Sequence, residues 1–387
     1  MTTQRAGTPR ARRLDIDALL TDPHTRIIVC CGSGGVGKTT TAAALALRAA
    51  EQGRHVVVLT IDPARRLAQS LGLTELDNTP RPVHGIDTAA GGTLDAMMLD
   101  MKRTFDEVVL AHSNPETAEQ ILANPFYQAV SSSFAGTQEY MAMEKLGQLR
   151  AQADRDRTWD LIVVDTPPSR SALDFLDAPK RLGSFLDGRF IRLISAPAKA
   201  GRAGLRLFNA GLGLVVRTLN LVLGGEMLRD VQTFVTALDT MFGGFRERAD
   251  HTYALLKESG TAFVVVAAPE RDALREASYF TARLTDDGMP PRGLVVNRLQ
   301  RVSAPSLSAA RALAAAEQLD ERGHRDSSQA VLLHAQLMEI AARQRNLVRR
   351  FSAGHTGIPL VEVAALAGDV HDLEGLRAIG AALAGRT

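Results

Sequence analysis

The amino-acid sequence predicts an α/β fold in which a doubly wound, mostly parallel sheet carries an inserted α-helical subdomain. Short apolar runs rich in β-branched residues recur between segments of helical periodicity. These runs are residues 26–31, 55–61, 161–165, 262–267, 293–297 and 358–363. Such runs suit parallel strands that are buried on both faces, and their alternation with helices favours a doubly wound sheet. Sites in these sheets lie at the carboxyl ends of the strands.

The loop between the first apolar run and the alanine-rich segment after it has the form of a phosphate-binding P-loop. Its residues are Gly32, Ser33, Gly34, Gly35, Val36, Gly37, Lys38, Thr39 and Thr40. Glycines let backbone amides converge on phosphates, and the following helix directs its positive end toward them. We expect Lys38 to contact the β- and γ-phosphates and the Thr39 hydroxyl to bind Mg²⁺. The sequence therefore predicts one nucleoside triphosphate site of the P-loop NTPase type.

Two later strand ends carry aspartates at positions suited to phosphate chemistry. Asp62 follows the second run and precedes Pro63; it either orients or deprotonates the attacking water, or it caps a helix. Asp165 ends the third run in the Walker B form, where it can hold Mg²⁺ or its waters. Residues 166–170 would then sense the γ-phosphate. The candidate catalytic residues are Lys38 and Asp62, and the candidate Mg²⁺ ligands are Thr39, Asp62 and Asp165.

Two further strand ends give weaker indications of a base-binding site. Asn297 follows an apolar run, and its amide can pair with an adenine edge. Pro269 and Glu270 follow another run and can form a loop against the base. Each of these three residues is equally compatible with a turn that has no ligand.

The spacing of the runs predicts where the helical subdomain is inserted. The interval between the second and third runs is far longer than one crossover needs. It shows helical periodicity over residues 92–111 and 115–150. The predicted organisation is a disordered basic tail at 1–20 and one P-loop ATPase domain at 21–387, with helical insertions at about 92–150 and 182–256.

Composition restricts the functional class. The chain has 387 residues, 45% hydrophobic and 23% charged, with a net charge of +2, which argues against a nucleic-acid partner. The apolar stretch at residues 205–223 is interrupted by arginine and asparagine, so we expect no membrane insertion. The two cysteines, Cys30 and Cys31, are adjacent and offer no zinc motif. These features are typical of a cytoplasmic protein.

The loop also resembles a specific variant of the P-loop. Gly-Ser-Gly-Gly-Val-Gly-Lys-Thr at residues 32–39 is similar to the "deviant" loop Gly-Lys-Gly-Gly-Val-Gly-Lys-Thr. With the motifs at Asp62, Asp165, Pro269 and Asn297, nearly the whole chain resembles the family of the arsenite-pump and tail-anchored-protein targeting ATPases. The resemblance implies that Asp62 positions the attacking water and that Asn297 and the Pro269-Glu270 loop contact adenine.

The chain departs from that family at one position of the loop. In the family the first lysine of the loop crosses a dimer interface to the partner's nucleotide, whereas this chain has Ser33. A serine hydroxyl donates one hydrogen bond and cannot neutralise charge. The family's zinc-binding and arsenite-binding cysteines are also missing. The resemblance implies a dimer with itself or with a paralogous subunit that keeps the lysine.

Three functions follow from these residues and the resemblance. The first is an Mg-ATP-driven dimeric switch that binds a hydrophobic segment or membrane-protein client. The second is a regulatory subunit with little hydrolysis of its own, and the third a partition-type positioning ATPase, for which no basic face or membrane helix stands out. Methionines and an apolar run at 212–223 favour a client surface or, alternatively, core packing. The methionines are Met97, Met98, Met101, Met141, Met143, Met227 and Met241.

Overall fold

The computed structural model describes residues 12–62, 66–130, 137–167 and 247–386. The helices are α1 (Ile16–Thr21), α2 (Lys38–Glu51), α3 (Arg66–Ser70), α4 (Met101–His112), α5 (Pro115–Ala123), α6 (Pro125–Val130), α7 (Thr137–Asp156), α8 (Arg271–Asp286), α9 (Ala309–Glu321), α10 (Arg325–Gly354) and α11 (Leu373–Leu383). The strands are β1 (Ile27–Gly32), β2 (His55–Thr60), β3 (Arg81–Pro82), β4 (Thr93–Met98), β5 (Leu161–Asp165), β6 (Thr261–Ala267), β7 (Gly293–Leu299) and β8 (Leu360–Ala364). Residues 247–257 are also helical.

The strands form one sheet in the order β3, β4, β2, β5, β1, β6, β7, β8. The pairs from β2 through β8 are parallel, and β3 is antiparallel to β4. From β1 the chain passes to β2 on one side, β5 later fills the place between these two strands, and β6, β7 and β8 follow on the other side of β1. The direction of winding therefore reverses at β1. The predicted α/β fold with a mostly parallel, doubly wound sheet is confirmed. The P-loop lies at this reversal, where such sheets bind their ligands.

The central strands β1 and β5 are apolar up to their carboxyl ends, because both of their faces are covered. Every residue of β1 and β5 is buried. Register brings their polar ends together, since Cys30 of β1 and Thr60 of β2 both lie opposite Asp165 of β5. The ends of three adjacent strands therefore meet around one carboxylate.

The described residues divide into two compact units. One contains the sheet, with the described parts of residues 12–97, 158–167 and 257–386. The other contains described residues from 98 to 157 and from 247 to 256, all in or near helices. The predicted bounds of the helical insertions, about 92–150 and 182–256, stay a prediction, and most of the second block lies outside the described residues.

The expectation of helix from residue 92 is wrong at its beginning. Residues Thr93–Met98 form β4, in which buried and less buried positions alternate over the first half, and α4 begins only at Met101. Asp100 caps that helix by accepting a hydrogen bond from the Arg103 amide at 2.9 Å. The apolar residues of this segment fit a strand period as well as a helical one, and pairing with the sheet decides between them.

The prediction of a disordered tail is wrong for residues 12–20. Leu14 is buried, and its amide donates a hydrogen bond to the Leu360 carbonyl at 3.0 Å, while the Leu360 amide donates to the Arg12 carbonyl at 2.9 Å. The Asp15 side chain caps α1, whose residues Ile16 and Leu20 are buried. This segment is held because it adds to the edge of the sheet at β8. Residues 1–11 lie outside the described part.

In the part of the chain that the structure describes, no helix has the length and apolar character needed to cross a membrane.

Candidate active site

The P-loop is held at both of its ends by contacts that only glycine permits. A Cβ atom on Gly32 would lie 2.1 Å from the Val266 carbonyl oxygen at the end of β6. Gly37 has a φ of +96°, and a Cβ atom there would lie 2.3 Å from the Asn297 side-chain nitrogen. Both glycines thus serve close backbone approach. Between them, Gly34 and Gly35 are exposed, so the crest of the loop is open to a ligand.

Lys38 is the first residue of α2 and is turned back onto the loop. Its ammonium group donates a hydrogen bond to the Ser33 carbonyl at 2.8 Å. Burial lowers the pKa of Lys38, and the charges of Asp165 and Asp62 oppose that shift. The two carboxylates are therefore close enough to act on the ammonium group electrostatically. This places Lys38 at the loop crest, as the P-loop pattern predicts.

Asp165 is the acidic centre of the site. Its Oδ2 atom accepts hydrogen bonds from the hydroxyls of Thr39 at 2.7 Å and Thr60 at 2.9 Å. Its Oδ1 atom is buried and has no hydrogen-bond partner among the described residues. Burial raises the pKa of Asp165 to about 6, against the lowering effect of the two threonine hydrogen bonds and Lys38. A buried carboxylate oxygen without a donor is costly unless something else binds it.

These residues fit a magnesium ion. The open Oδ1 atom of Asp165 and the nearby Thr39 hydroxyl are hard oxygen ligands, which Mg²⁺ prefers. Within the described ranges, no group of three or more His, Cys, Asp or Glu side chains could hold a metal. Mg²⁺ usually binds through one or two carboxylates, several waters and substrate phosphates, so a larger protein cage is not required.

Asp62 lies just beyond β2, beside the same cluster. Its amide donates a hydrogen bond to the Thr60 hydroxyl at 3.2 Å, and that hydroxyl also binds Asp165. Its charge contributes to the raised pKa of Asp165. The predicted candidates Lys38, Asp62 and Asp165 thus converge at the ends of β1, β2 and β5. The residues that follow Asp62, 63–65, lie outside the described part.

Asn297 reaches the loop from β7 and binds its backbone. Its side-chain amide donates a hydrogen bond to the Val36 carbonyl at 2.9 Å, and its Oδ1 atom accepts from the Arg298 amide at 3.0 Å. Its described role is to hold the loop, and its adenine contact stays a prediction. Pro269 is buried and Glu270 exposed just before α8. Among the described residues, neither makes a hydrogen bond to the P-loop.

The structure also describes Thr40 and Thr166, two further residues of the predicted motifs. Thr40 lies partly exposed in the first turn of α2. Thr166 is buried, and its hydroxyl donates to the Cys30 carbonyl at 2.8 Å, which ties the end of β5 to β1. Residues 168–170 of the predicted switch segment lie outside the described residues.

Sequence reasoning missed two residues of the site. Thr60 binds Asp165 and stands only two positions before Asp62, so a polar residue at a strand end was a usable signal. Glu276 of α8 accepts a hydrogen bond from the Ser33 hydroxyl at 2.6 Å. No sequence pattern indicates this contact, because 243 positions separate the two residues.

The parallel sheet, the loop after β1 and the acidic strand ends define a P-loop nucleoside triphosphatase. A family model described as anion-transporting ATPase matches residues 25–320, and the chain belongs to that family. The predicted membership of this family is thereby confirmed, and the chain is an ATPase. The relation of its loop to the deviant P-loop variant stays a prediction.

Several curated proteins are similar to this chain. The ATPase GET3 of Malassezia globosa is 26% identical over 288 residues, which cover 73% of this chain and 75% of that protein. The ATPase get3 of Neurospora crassa is 25% identical over 286 residues, covering 73% and 76%. The ATPase GET3C of Arabidopsis thaliana is 24% identical over 277 residues, covering 69% and 65%.

Proposed function

We propose that this chain is an Mg²⁺-dependent ATPase that works as a dimeric switch and couples its nucleotide state to binding of a hydrophobic or protein client. The observation that carries the nucleotide chemistry is the cluster of Lys38, Thr39, Thr60 and Asp165, which joins the P-loop to β2 and β5. Membership of an ATPase family supports it.

The residues of the loop would bind the triphosphate through a change of partner. Lys38 now donates to the Ser33 carbonyl, and the phosphates would replace that oxygen as its acceptor. The open amides at Gly34 and Gly35 and the beginning of α2 add backbone donors and a positive dipole end. Binding therefore needs a rearrangement of one side chain and little rearrangement of the fold.

Thr39 and Asp165 would hold Mg²⁺. When bound, Mg²⁺ neutralises negative charge on the phosphates. We assign Asp62 to orient the attacking water, because it directly follows β2 and its amide donates a hydrogen bond to the Thr60 hydroxyl, which also binds Asp165. A carboxylate there can accept a hydrogen bond from the water and fix its direction.

The switch would act where the chain leaves the cluster. Asp62 is tied to Thr60, and Thr166 is tied to the Cys30 carbonyl. Asp62 and Thr166 are thus the described residues through which a change at the γ-phosphate would act on the fold. Order that depends on the γ-phosphate is a common device in nucleotide switches.

An apolar groove on the helical unit supports the client part of the proposal. It has a volume of about 550 Å³ and lies between α4 and α5, and Leu110 in it is 59% exposed. Its lining residues are Leu110, Ser113, Pro115, Ala118, Glu119, Leu122 and Ala123. An exposed apolar groove of this kind suits an apolar side chain from another molecule.

The methionines give this client role little support. Met97, Met141 and Met143 are buried within their own units, so they pack the interior. Met98 and Met101 are partly exposed. Met227, Met241 and the apolar run at 212–223 lie outside the described residues.

Steady-state ATP hydrolysis by the purified chain tests the enzymatic part. Lys38→Ala is the blank because it removes the charge that contacts the phosphates. We expect Mg²⁺-dependent turnover that disappears in the variant, and a dimer by mass measurement in the presence of ATP. Turnover equal in both chains would contradict the assignment of this site.

One observation favours a second function, that of a regulatory subunit in a heterodimer. Ser33 stands where the resembling family has its interface lysine, and its hydroxyl is bonded to Glu276 of the same chain. Such a chain would bind ATP and depend on a lysine-containing paralogue for hydrolysis. ATP binding without turnover, restored by that paralogue, would support this function, whereas a fully active homodimer would exclude it.

A further inference from the structure

Ser33 connects the P-loop crest to two different groups. Its backbone carbonyl accepts a hydrogen bond from the Lys38 ammonium group at 2.8 Å. Its hydroxyl donates to the Oε2 atom of Glu276 at 2.6 Å. Glu276 lies on α8 and is exposed, outside the cluster that surrounds Asp165. One residue thus links the lysine that meets the phosphates to a carboxylate on a neighbouring helix.

We propose that Glu276 is a positioning residue for nucleotide binding, and that it acts by fixing Ser33 and with it the crest of the P-loop. The inference rests on the proposed function, in which ATP binds this loop. Glu276 itself touches no phosphate in this role. It is needed because the loop must present its amides in one arrangement before the ligand arrives.

The contacts of the loop show why an anchor at Ser33 matters. Gly32 is held against Val266 of β6, and the Val36 carbonyl is held by Asn297 of β7. Gly34 and Gly35 lie between these points and carry no side chain to restrain them. Ser33 provides the described side-chain anchor of this stretch. Anchoring a glycine-rich loop in advance reduces the conformational entropy that binding must remove.

The helix that carries Glu276 is a firm support. Helix α8 runs for 16 residues and buries one apolar face against the sheet unit. The buried residues of that face are Ala273, Leu274, Ala277, Phe280, Thr281 and Leu284. The backbone of Glu276 is therefore fixed by packing, and only its side chain reaches the loop. A short bond between a hydroxyl and a carboxylate is stronger than one between neutral groups.

The hydrogen bond between Ser33 and Glu276 also affects the position of the Lys38 side chain before nucleotide binds. Because the Ser33 carbonyl accepts from the ammonium group while the Ser33 hydroxyl is held by Glu276, a rotation of residue 33 would release both contacts. Loss of the carboxylate would therefore loosen the loop and also the starting position of the lysine. The looser loop weakens binding of a triphosphate because binding must then order it, whereas the contact of Lys38 with the Ser33 carbonyl is one that the phosphates replace.

A double-mutant cycle isolates this contact. The dissociation constant of a non-hydrolysable ATP analogue with Mg²⁺ is measured by calorimetry for four full-length chains: wild type, Ser33→Ala, Glu276→Ala and the double variant. We expect Ser33→Ala to weaken binding about three- to tenfold when Glu276 is present, as for loss of a charge-assisted hydrogen bond, and not at all when residue 276 is alanine. The carboxylate charge is absent from both Glu276→Ala and the double variant, so its removal does not affect the comparison between these two chains.

Three controls make the result decisive. Ser33→Thr keeps the hydroxyl and is expected to bind nearly as wild type. Glu317→Ala removes an exposed glutamate of α9 that forms no hydrogen bond with the P-loop among the described residues, and it is expected to change nothing. Thermal unfolding of each chain confirms that it is folded. An equal effect of Ser33→Ala in both backgrounds, or no effect in either, overturns the inference.

The experiment separates this inference from the proposed function. If the wild-type chain binds the analogue no better than Lys38→Ala does, the proposed nucleotide site is wrong and the inference falls with it. If the wild type binds and the cycle shows no coupling between Ser33 and Glu276, only the positioning role of Glu276 is wrong.

Discussion

The Thr39 hydroxyl donates a hydrogen bond to Oδ2 of Asp165 at 2.7 Å, which joins the first turn of α2 to the end of β5. Thr60 donates a second hydrogen bond to the same oxygen. Both donors are neutral, so they orient the carboxylate without cancelling its charge. The other oxygen stays buried and without a hydrogen-bond donor among the described residues. This second oxygen is the one that would bind the proposed Mg²⁺.

Thr60→Val is expected to weaken Mg²⁺ binding while the fold is kept. The substitution preserves the shape of the side chain and removes one of two donors that stabilise the charged form of Asp165. We expect the Mg²⁺ concentration for half-maximal ATP hydrolysis to rise about three- to tenfold, in keeping with one lost hydrogen bond to a charged group. Thr60→Ser keeps the hydroxyl and serves as the control. An unchanged Mg²⁺ requirement in the valine variant would contradict the assignment of Asp165.

Asn297→Ala is expected to weaken binding of ATP and GTP by the same factor. The Asn297 side chain holds the Val36 carbonyl, and this contact acts on the loop whichever base is bound. A role limited to the adenine edge would instead reduce ATP binding and leave GTP binding unchanged. Competition of both nucleotides with a fluorescent analogue measures the two constants. A selective loss of ATP affinity would return Asn297 to the adenine role that the sequence predicts.

Gly37→Ala is expected to destabilise the protein more than Gly35→Ala. Both glycines have positive φ values, +96° and +75°, so both variants carry backbone strain. Only at Gly37 does the added Cβ atom meet a neighbour, the Asn297 side-chain nitrogen at 2.3 Å, whereas no atom lies within 4 Å at Gly35. We expect an extra loss of about 1–2 kcal/mol in Gly37→Ala, read from thermal or denaturant unfolding. Asn297→Ala in the same chain should recover part of this loss.

The sequence predicts the parts of the site that local patterns encode. The loop with Lys38, and the strand ends with Asp62 and Asp165, are each short contiguous motifs whose burial and turn chemistry are readable in one stretch.

Other features depend on partners that are distant in the chain. Glu276 meets Ser33 only because α8 packs beside β1, and residues 12–14 are ordered only because β8 offers them a free edge. The sequence predicts helix over the residues of β4, whereas pairing with neighbouring strands makes this segment a strand. Residue propensities and hydrophobic periodicity are local properties, so they do not predict these long-range contacts.

Asp17→Asn is expected to lower stability near neutral pH and to lose its effect in acid. Asp17 accepts hydrogen bonds from Arg48 of α2, from Gln52 just after α2, and from Arg386. The Arg48 hydrogen bond is the largest cause that lowers the pKa of Asp17 to about 2, from an ordinary value of 3.8. A carboxyl group whose pKa is lower in the folded protein than in the unfolded chain stabilises the fold at pH values above its unfolded pKa. This stabilisation is lost as the pH falls from about 4 toward 2.

Unfolding of wild type and Asp17→Asn at several pH values checks this. The side chain of Asp17 is 26% exposed, and solvent screening reduces the expected difference at pH 7 to about 1–2 kcal/mol. The difference should be constant from pH 7 to about 5 and shrink as pH falls below 4. Asp15→Asn changes the cap residue of the same helix, α1, and provides the comparison. A difference that stays constant down to pH 3 would contradict the role given to the charge.

Ser33→Lys is expected to raise hydrolysis more when Glu276 is neutralised as well. A lysine introduced at position 33 would stand where the serine hydroxyl now meets the Glu276 carboxylate. An ammonium group this close to the Glu276 carboxylate would form an ion pair with it. That ion pair would keep the ammonium group from reaching a partner's nucleotide. We therefore expect kcat to rise more in Ser33→Lys with Glu276→Gln than in Ser33→Lys alone. The matched control is Ser33→Lys with Glu317→Gln, which removes a carboxylate elsewhere. Equal kcat values in all three chains would show that the identity of residue 33 does not limit hydrolysis.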